Sequence, residues 1–355
     1  MKVAILQNSI GIGGRSKVVA EVIDLVKDQV DSVDIHTLSE GINVQQFFDH
    51  YEIDRDTVTV INYGGFSVPG TLYQQPILNY KSKDLIQDYN IVFNSNNCVR
   101  FLPSGPEYIH YIHFPTSSIP DVDPKYNQLF YQLYAMPLRV LSAIDETSIQ
   151  GHVFANSEYT LRYIQDTYGV FDAEVLYPPC LESVKISEFN GEGVISVGSF
   201  HPNKRQLFQI QMAKEFPETT FRIVGSKASQ SYFENCQKYI KNHDVSNIEI
   251  YADISDGKLQ KLLNQSCIFL HSMENEKFGI ATVEGINQGC VPLVHNSGGQ
   301  REVVPDPSYR YTNRNECKKI LDAVLSGKQP SVAETRQHLK QFTESQFRER
   351  LESLI

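Results

Sequence analysis

The sequence predicts an α/β protein made of two parallel-sheet domains in series. Short apolar runs alternate with helix-length amphipathic segments, which is the order expected of parallel strands joined by helices. The alternation restarts after a stretch punctuated by proline and glycine at residues 178–193. In addition, 355 residues are more than one compact domain usually contains. We therefore expect each half of the chain to form its own sheet.

The first half opens with VAILQ at residues 3–7, an apolar run that predicts a strand. The glycine-rich SIGIGGRS follows it and leads into KVVAEVIDLVKDQV, whose apolar spacing predicts a helix. Near the end of this half, HVFANS and EYTLRYIQDTYG repeat the order of strand and helix. The strands predicted between them are VDIHTL, TVTVINY, NIVFNS and YIHYIHF.

The second half repeats this plan from Gly193 onward. Helices are expected from about Lys204, at residues 230–241, before CIFLHSM and after Gly279. The predicted strands are VISVGSF, TFRIVGS, NIEIYAD, CIFLHSM and VPLVHN.

Composition excludes several classes of protein. The formal net charge is -10 and Lys and Arg are not clustered, which argues against a nucleic-acid partner. The cysteines lie far apart without a CxxC pair, so neither a zinc site nor a disulfide framework is expected. The opening run MKVAILQNS is too short for a signal peptide, and no apolar stretch approaches about 18 residues. We expect a cytoplasmic protein, and any membrane contact is expected to be peripheral.

Two carboxylates, Glu276 and Glu284, flank a glycine in HSMENEKFGIATVEGINQG, residues 271–289. CIFLHSM predicts a strand, ENEKFG a turn and IATVEGINQG a helix. Gly279 allows close backbone approach, and Ile280 begins a helix whose unpaired N–H groups suit a diphosphate. One acid could accept hydrogen bonds from a sugar and the other from a ribose. From the spacing alone, both acids could equally serve only to stabilise the start of the helix.

This segment resembles the retaining GT-B glycosyltransferases of glycosyltransferase family 4, whose signature is an E-x7-E motif in this strand-turn-helix context. Within that family, the chain is most similar to the eukaryotic α-1,2-mannosyltransferase group, which extends the dolichol-linked N-glycan precursor from GDP-mannose. The similar segments are colinear over roughly residues 111–304: YIHYIHFPT, NSEYTLRYI, VLYPPC, VGSFHPNKRQLFQI and NEKFGIATVEGINQGCVPLVHNSGGQREVV. The resemblance implies a GT-B fold, with two Rossmann-like domains facing a cleft.

The resemblance assigns roles to three residues of the second half. It places Glu276 at the hydroxyls of the donor sugar, Glu284 at the nucleotide ribose and Lys204 at the diphosphate. A lysine there can neutralise charge that develops on the departing diphosphate. Many family members have an arginine directly after the strand glycine, and the mannosyltransferase group has one two residues later. This chain has Ser199 and His201 at those positions, so a second phosphate-binding cation is not assigned.

In the first half, the resemblance assigns Gly13 and Gly14 to a loop beside the diphosphate and acceptor, and His113 to the pocket near the reacting sugar carbon. GIGGRS after a strand, with Asp34 about twenty positions later, also imitates a dinucleotide-binding fingerprint. Ser16 stands where the third glycine of that fingerprint belongs. A nicotinamide oxidoreductase is therefore the weaker interpretation.

Asp121 and Asp123 have the D-x-D spacing with which a different glycosyltransferase fold binds a divalent metal. Pro120 and Pro124 place the pair in a loop and not at the end of a buried strand, so we interpret it as a solvated turn. We expect no required metal and no cofactor, since the nucleotide sugar is itself a substrate.

The function implied by the resemblance is transfer of a hexose, with mannose from GDP-mannose as the expected donor, to a glycan or lipid-linked glycan acceptor with retention at the anomeric carbon. The alternatives are a transferase that uses a UDP-sugar and a non-catalytic, two-lobed nucleotide- or sugar-binding protein. The expected domains are an acceptor-side domain at 1–182 and a nucleotide-sugar domain at 190–335. A last helix within residues 336–355 is expected to return to the first domain.

Overall fold

The structure is a computed structural model of the chain. It describes residues 1–64, 71–97, 99–122, 129–142, 149–185, 191–328 and 333–355. The chain divides into two compact units: unit 1 contains Met1–Pro179 and Glu344–Ile355, and unit 2 contains Cys180–Thr343. Each unit holds one parallel sheet flanked by helices, so the predicted fold class is confirmed.

Unit 1 is built on a seven-stranded sheet. Its strands are β1 Lys2–Leu6, β2 Ser32–Thr37, β3 Val58–Asn62, β4 Ile91–Asn94, β5 Glu107–Ile112, β6 His152–Ala155 and β7 Glu174–Val175. Its helices are α1 Gly14–Val26, α2 Gly41–His50, α3 Thr71–Ile86, α4 Ile119–Val122, α5 Leu129–Ser142 and α6 Glu158–Tyr168, followed at the end of the chain by α14 Glu344–Glu352.

The strand order of unit 1 is β3-β2-β1-β4-β5-β6-β7. The chain therefore reverses direction across the sheet between β1 and β4, and open α/β sheets bind ligands beyond the carboxyl ends of strands at such a point. Val18, Val22 and Val26 recur at helical spacing on α1 and are buried in the core of this unit. This packing fixes the loop between β1 and α1 over the strand ends.

The last helix, α14, packs against α1 within unit 1. Arg348 of α14 forms ion pairs with Glu21 and Asp24 of α1. The return to unit 1 begins at Glu344, because the segment before it is still part of unit 2, where Phe342 is fully buried.

Unit 2 is built on a six-stranded sheet. Its strands are β8 Val194–Val197, β9 Phe221–Gly225, β10 Ile248–Ala252, β11 Ile268–His271, β12 Val291–His295 and β13 Arg310–Tyr311. Its helices are α7 Gln206–Glu215, α8 Gln230–Asn242, α9 Asp256–Asn264, α10 Ile280–Asn287, α11 Gln300–Val303, α12 Arg314–Leu325 and α13 Ala333–His338. The strand order is β10-β9-β8-β11-β12-β13, so the reversal lies between β8 and β11.

The helix expected from about Lys204 begins two residues later. Pro202–Lys204 form a short 3-10 turn, and Arg205 has φ 57 in the left-handed region before α7 starts at Gln206. The turn places Lys204 directly after β8, at the reversal of the sheet. Among the described residues, no helix has the length and apolar character needed to span a membrane.

Two buried histidines of unit 1 predict that the chain loses stability in mild acid. Burial lowers the pKa of His36 on β2 and of His110 on β5, each to about 4. The unfolded chain binds these protons near pH 6.5, whereas the folded unit resists them down to about pH 4. Stability is therefore complete above pH 6.5 and falls as the pH drops toward 4, by at most about 1.4 kcal/mol per pH unit for each histidine.

Urea unfolding of the full chain between pH 7 and pH 5 measures this effect. Replacing His110 with glutamine should reduce the pH dependence, whereas His152→Gln, at an exposed histidine of the same unit, should leave it unchanged. A free energy of unfolding that does not change between pH 7 and pH 5 would contradict the prediction.

Candidate active site

The predicted strand-turn-helix of the E-x7-E segment is present in unit 2. β11 ends at His271, and α10 begins at Ile280 with Gly279 as its N-cap. Gly279 has φ 117, which L side chains rarely adopt, and a methyl group there would meet the side-chain amide of Gln300 at 2.3 Å. The N-cap residue Gly279 has no side chain to cap the helix, and the first N–H groups of an α-helix have no partner within the helix, which suits an anionic ligand. Glu284 lies one turn inside α10 and is half-buried.

Lys204 and Glu276, which the sequence analysis assigned to one site, are in direct contact. Lys204 Nζ donates to Glu276 Oε2 at 2.5 Å, although the two residues are 72 positions apart in the chain. The lysine side chain is 28% exposed and the glutamate side chain 13% exposed. This pair lies beyond the carboxyl ends of β8 and β11, where the sheet reverses, and so occupies the expected position for a ligand site.

His271 is a third member of this cluster, and sequence reasoning missed it. Its Nε2 lies 3.3 Å from Glu276 Oε2. Its Nδ1 is buried and has no hydrogen-bond partner in the part of the chain that the structure describes. The available signal was its place as the last residue of a buried strand, five positions before Glu276.

The electrostatics of the cluster keep Glu276 ionised. Burial alone would raise the pKa of this carboxyl, but the charge of Lys204 and the hydrogen bond from His271 outweigh it, so the pKa lies well below 4.5. Burial lowers the pKa of His271, against the opposing effect of Glu276. At neutral pH the site therefore holds a carboxylate, an ammonium group and a neutral imidazole.

A second ion pair lies beside the first. Arg205 follows Lys204 and pairs with Glu274, whose carboxylate also lies 3.7 Å from His295 Nε2. The guanidinium group of Arg205 stacks on Phe208 at 5.2 Å from the ring centroid. Lys204 and Arg205, which are adjacent in the chain, thus pair with Glu276 and Glu274, respectively, in the loop after β11.

The loop that carries Glu276 depends on a glycine pair after β12. The N–H of Gly299 donates to the carbonyl of Glu276 at 2.8 Å. Gly298 has φ 63, and a methyl group on it would lie 2.2 Å from that carbonyl oxygen. The backbone of Glu276 is therefore held at a distance that only glycine permits.

We expect Gly298→Ala to lower the free energy of unfolding by about 1–3 kcal/mol, since both the positive φ and the backbone contact oppose a side chain. The displaced loop should also misplace Glu276. Gly257→Ala in α9 is the matched control, because a methyl group there meets no atom within 4 Å. The control should be neutral or stabilising by up to about 1 kcal/mol. Thermal unfolding of both variants tests this, and equal stabilities would show that Gly298 is not required.

In unit 1, the glycine loop before α1 is open at its surface. Gly13 is the N-cap of α1 with φ 145, and no atom lies within 4 Å of the position that a Cβ would occupy. The hydroxyl of Tyr51 donates to the carbonyl of Gly13 at 2.9 Å and so fixes the turn. Gly14 is the first residue of α1 and is exposed.

His113 follows β5 and is buried, with 8% exposed. Its ring Nε2 lies 2.8 Å from Ser95 Oγ, and its backbone N–H donates to Asn97 Oδ1 at 2.6 Å. Burial lowers the pKa of His113 well below 6.5, and the charge of Arg15 lowers it further. The imidazole is therefore neutral and tightly positioned, beside a cation that the sequence analysis did not consider.

Asp121, Asp123 and His201 have no described contact with Lys204 or Glu276. Asp121 lies in the short helix α4, but its side chain and all of Asp123 lie outside the described residues, so the interpretation of the pair as a solvated turn stays a prediction. Among the described residues, no cluster of three or more His, Cys, Asp or Glu side chains could hold a metal ion. His201 contacts Asn203 within its own turn.

Comparison with known proteins identifies the second half of the chain. Residues 185–344 match the family model of group 1 glycosyl transferases. The matched residues fall almost entirely within unit 2, so it is unit 2 that is similar to group 1 glycosyl transferases. The resemblance to glycosyltransferases stated from the sequence is thereby confirmed.

The curated proteins to which this chain is similar share a name. The GDP-Man:Man(3)GlcNAc(2)-PP-Dol alpha-1,2-mannosyltransferase of Mus musculus is 25% identical over 235 residues, which cover 54% of this chain and 46% of the relative. The Homo sapiens protein of that name is 24% identical over 268 residues, which cover 69% of this chain and 49% of the relative. The chain thus spans about half the length of these relatives.

Solved structures share the fold over the whole chain. HepE from Anabaena, solved with UDP and glucose, has a TM-score of 0.72 at 17% identity and covers 100% of this chain and 99% of its own. Sucrose-phosphate synthase from Thermosynechococcus elongatus has a TM-score of 0.76 at 12% identity, and the match covers 100% of this chain and 98% of the synthase. The predicted GT-B fold is confirmed.

Proposed function

We propose that the chain is a retaining glycosyltransferase that transfers a hexose, preferentially mannose from GDP-mannose, to a glycan or lipid-linked glycan acceptor. The observation that carries the proposal is the cluster of Lys204, Glu276 and His271 at the sheet reversal of a group 1 glycosyltransferase domain. The preference for GDP-mannose is supported by the names of the curated relatives.

The cluster has the groups that a nucleotide sugar requires. The N–H groups at the start of α10, after Gly279, bind the diphosphate together with the ammonium group of Lys204. Glu276 accepts hydrogen bonds from the donor sugar hydroxyls, and Glu284 accepts from the ribose. Since Lys204 contacts Glu276 without a ligand, diphosphate binding moves the ammonium group onto the phosphate and frees Glu276 Oε2 to accept from the sugar.

Bond cleavage then depends on charge stabilisation and not on a protein nucleophile. The leaving diphosphate, neutralised by Lys204, takes the proton of the attacking acceptor hydroxyl on the face from which it departs, which retains the anomeric configuration. His271 orients Glu276 through its hydrogen bond. For His113, the proposal keeps the predicted role of stabilising the reacting sugar through its neutral ring.

A UDP-sugar donor is the second candidate, because HepE matches the full chain and was solved with UDP and glucose. In this proposal, the described residues around Glu276 contact the sugar and phosphate groups of the donor. These contacts do not distinguish guanine from uracil. The acceptor class and a cytoplasmic location with peripheral membrane contact are parts of the same proposal.

Hydrolysis of a panel of nucleotide sugars tests the proposal without knowledge of the acceptor. GDP-mannose should be hydrolysed fastest, and addition of EDTA should leave the rate unchanged. Faster hydrolysis of UDP-glucose would replace the donor and keep the enzyme class. Nucleotide binding without hydrolysis of any of them would favour the non-catalytic binding protein, and no nucleotide binding at all would remove the enzyme proposal.

A further inference from the structure

The residue directly before Glu276 has a strained backbone conformation. Asn275 has φ 54, in the left-handed region that favours glycine, and lies in the loop between β11 and α10. A residue with a side chain keeps this conformation only where neighbouring groups hold it, and such strain is concentrated at functional sites. The groups that hold Asn275 therefore also decide where the carboxylate of Glu276 lies.

A short turn after β12, residues 297–299, holds the backbone of Asn275 and Glu276 from both sides. The backbone N–H of Asn275 donates to Ser297 Oγ at 2.8 Å. The carbonyl of Glu276 accepts from the N–H of Gly299 at 2.8 Å. Both residues lie between these two hydrogen bonds, so the turn fixes the direction in which the side chain of Glu276 leaves the backbone.

His295, the last residue of β12, orients the hydroxyl of Ser297. Its ring Nδ1 lies 2.8 Å from Ser297 Oγ, and its Nε2 faces the carboxylate of Glu274 at 3.7 Å. Because a carboxylate only accepts, the ring proton lies on Nε2, and Nδ1 accepts from the Ser297 hydroxyl. A lone pair of Ser297 Oγ is then free for the N–H of Asn275. The His295 ring is itself held edge-on against Tyr311, at 5.5 Å between centroids.

We infer that Ser297, oriented by His295, is a positioning residue for Glu276 in glycosyl transfer. It acts through the backbone of Asn275 and directs the carboxylate of Glu276 toward the donor sugar. This role rests on the proposed function, because it acts through Glu276, whereas the hydrogen bond to Asn275 does not. Ser297 is half-buried, so water can replace its hydroxyl in a variant and the chain should remain folded.

Donor hydrolysis by the full-length chain tests this role, with GDP-mannose or, if the parent hydrolyses it faster, UDP-glucose as the substrate. Ser297→Ala should lower kcat by about 10- to 10²-fold, the size of effect expected when a reacting group is misplaced by about 1 Å. Its affinity for GDP should equal that of the parent, because GDP lacks the sugar that Glu276 is proposed to contact. Ser297→Thr keeps the hydroxyl and should recover most of the turnover.

Ser266→Ala is the matched control for loss of a serine hydrogen bond in unit 2. Ser266 is 3% exposed, and its hydroxyl donates to the carbonyl of Leu262 at 2.8 Å. It lies before β11, at the opposite end of that strand from Glu276. This control should lower the unfolding temperature and leave kcat unchanged.

Hydrogen exchange at the backbone amide of Asn275 tests the hydrogen bond without any donor. Exchange should be about ten-fold faster in Ser297→Ala than in the parent, because one hydrogen bond no longer protects the amide. In Ser297→Thr and Ser266→Ala it should stay close to the parent rate.

Faster exchange in Ser297→Ala, with a lower kcat and unchanged GDP affinity, supports the positioning role. Exchange at the parent rate overturns the hydrogen bond, and faster exchange with the parent's kcat overturns the positioning role. Equal losses of kcat and GDP affinity would show a general disruption of the site and also overturn it. A parent chain that hydrolyses neither nucleotide sugar would remove the proposed function and the role in transfer with it, a failure that is seen before any variant is compared.

Discussion

Replacing Glu276 with glutamine or alanine is expected to abolish glycosyl transfer and donor hydrolysis while the chain remains folded. Lys204 and His271 keep the carboxylate of Glu276 ionised. In the proposal, this carboxylate accepts hydrogen bonds from the hydroxyls of the nucleotide sugar. Glutamine keeps the shape but loses the charge, so it can no longer balance the ammonium group or accept as strongly. We expect a loss of at least about 10²-fold, the range found when one preorganised polar group of an active site is removed.

The fold should survive this change because Lys204 is 28% exposed and can be hydrated when its partner is lost. The cost to the free energy of unfolding should be about 1–3 kcal/mol. Glu215→Gln is the matched control, since Glu215 is also an ion-paired acid of unit 2, in contact with Arg314 and Lys318. It should leave donor hydrolysis unchanged. Full activity of the Glu276 variants would remove this residue from the site.

Lys204→Ala is the second large effect, with an expected loss of about 10²- to 10³-fold in turnover. The ammonium group is proposed to neutralise the leaving diphosphate, and no other described cation of unit 2 contacts Glu276. Lys318→Ala, which removes an ion-paired lysine elsewhere in unit 2, should have no effect on turnover.

The two possible roles of Lys204 give different results. If the lysine served only to hold Glu276, Lys204→Ala would lower the unfolding temperature and leave turnover nearly unchanged. Loss of turnover with weaker nucleotide binding is the result that the proposed role requires. Steady-state donor hydrolysis and thermal unfolding of the same preparations distinguish these results.

Much of the fold was predictable because the apolar patterns are local. The strands from VAILQ to VPLVHN appear where the sequence placed them, since each is a short apolar run bounded by turn residues. The helix α2 and the two-residue strands β7 and β13 were not predicted from the sequence. Strand pairings as short as those of β7 and β13 depend on a neighbouring strand and not on their own residues. The boundary at Glu344, where the chain returns to unit 1, depends on the packing of Phe342 in unit 2, which leaves no local signal in the sequence.

The sequence predicted those residues of the candidate site that belong to recognisable motifs. Lys204 and Glu276 came from the resemblance, yet their direct contact joins residues 72 positions apart and required the structure. His271 was missed because a strand-end histidine is ordinary on its own. What distinguishes it is the contact with Glu276 that the fold provides.

Calorimetric titration of the full-length chain with GDP and with UDP tests the central claim, that the E-x7-E segment of unit 2 binds the nucleotide of a sugar donor. The account predicts binding of GDP in preference to UDP, weakened in Glu284→Ala by about 1.5–3 kcal/mol if a charge-assisted hydrogen bond to the ribose is lost. Preference for UDP would change the donor and keep the site. Absence of binding by either nucleotide would contradict the claim.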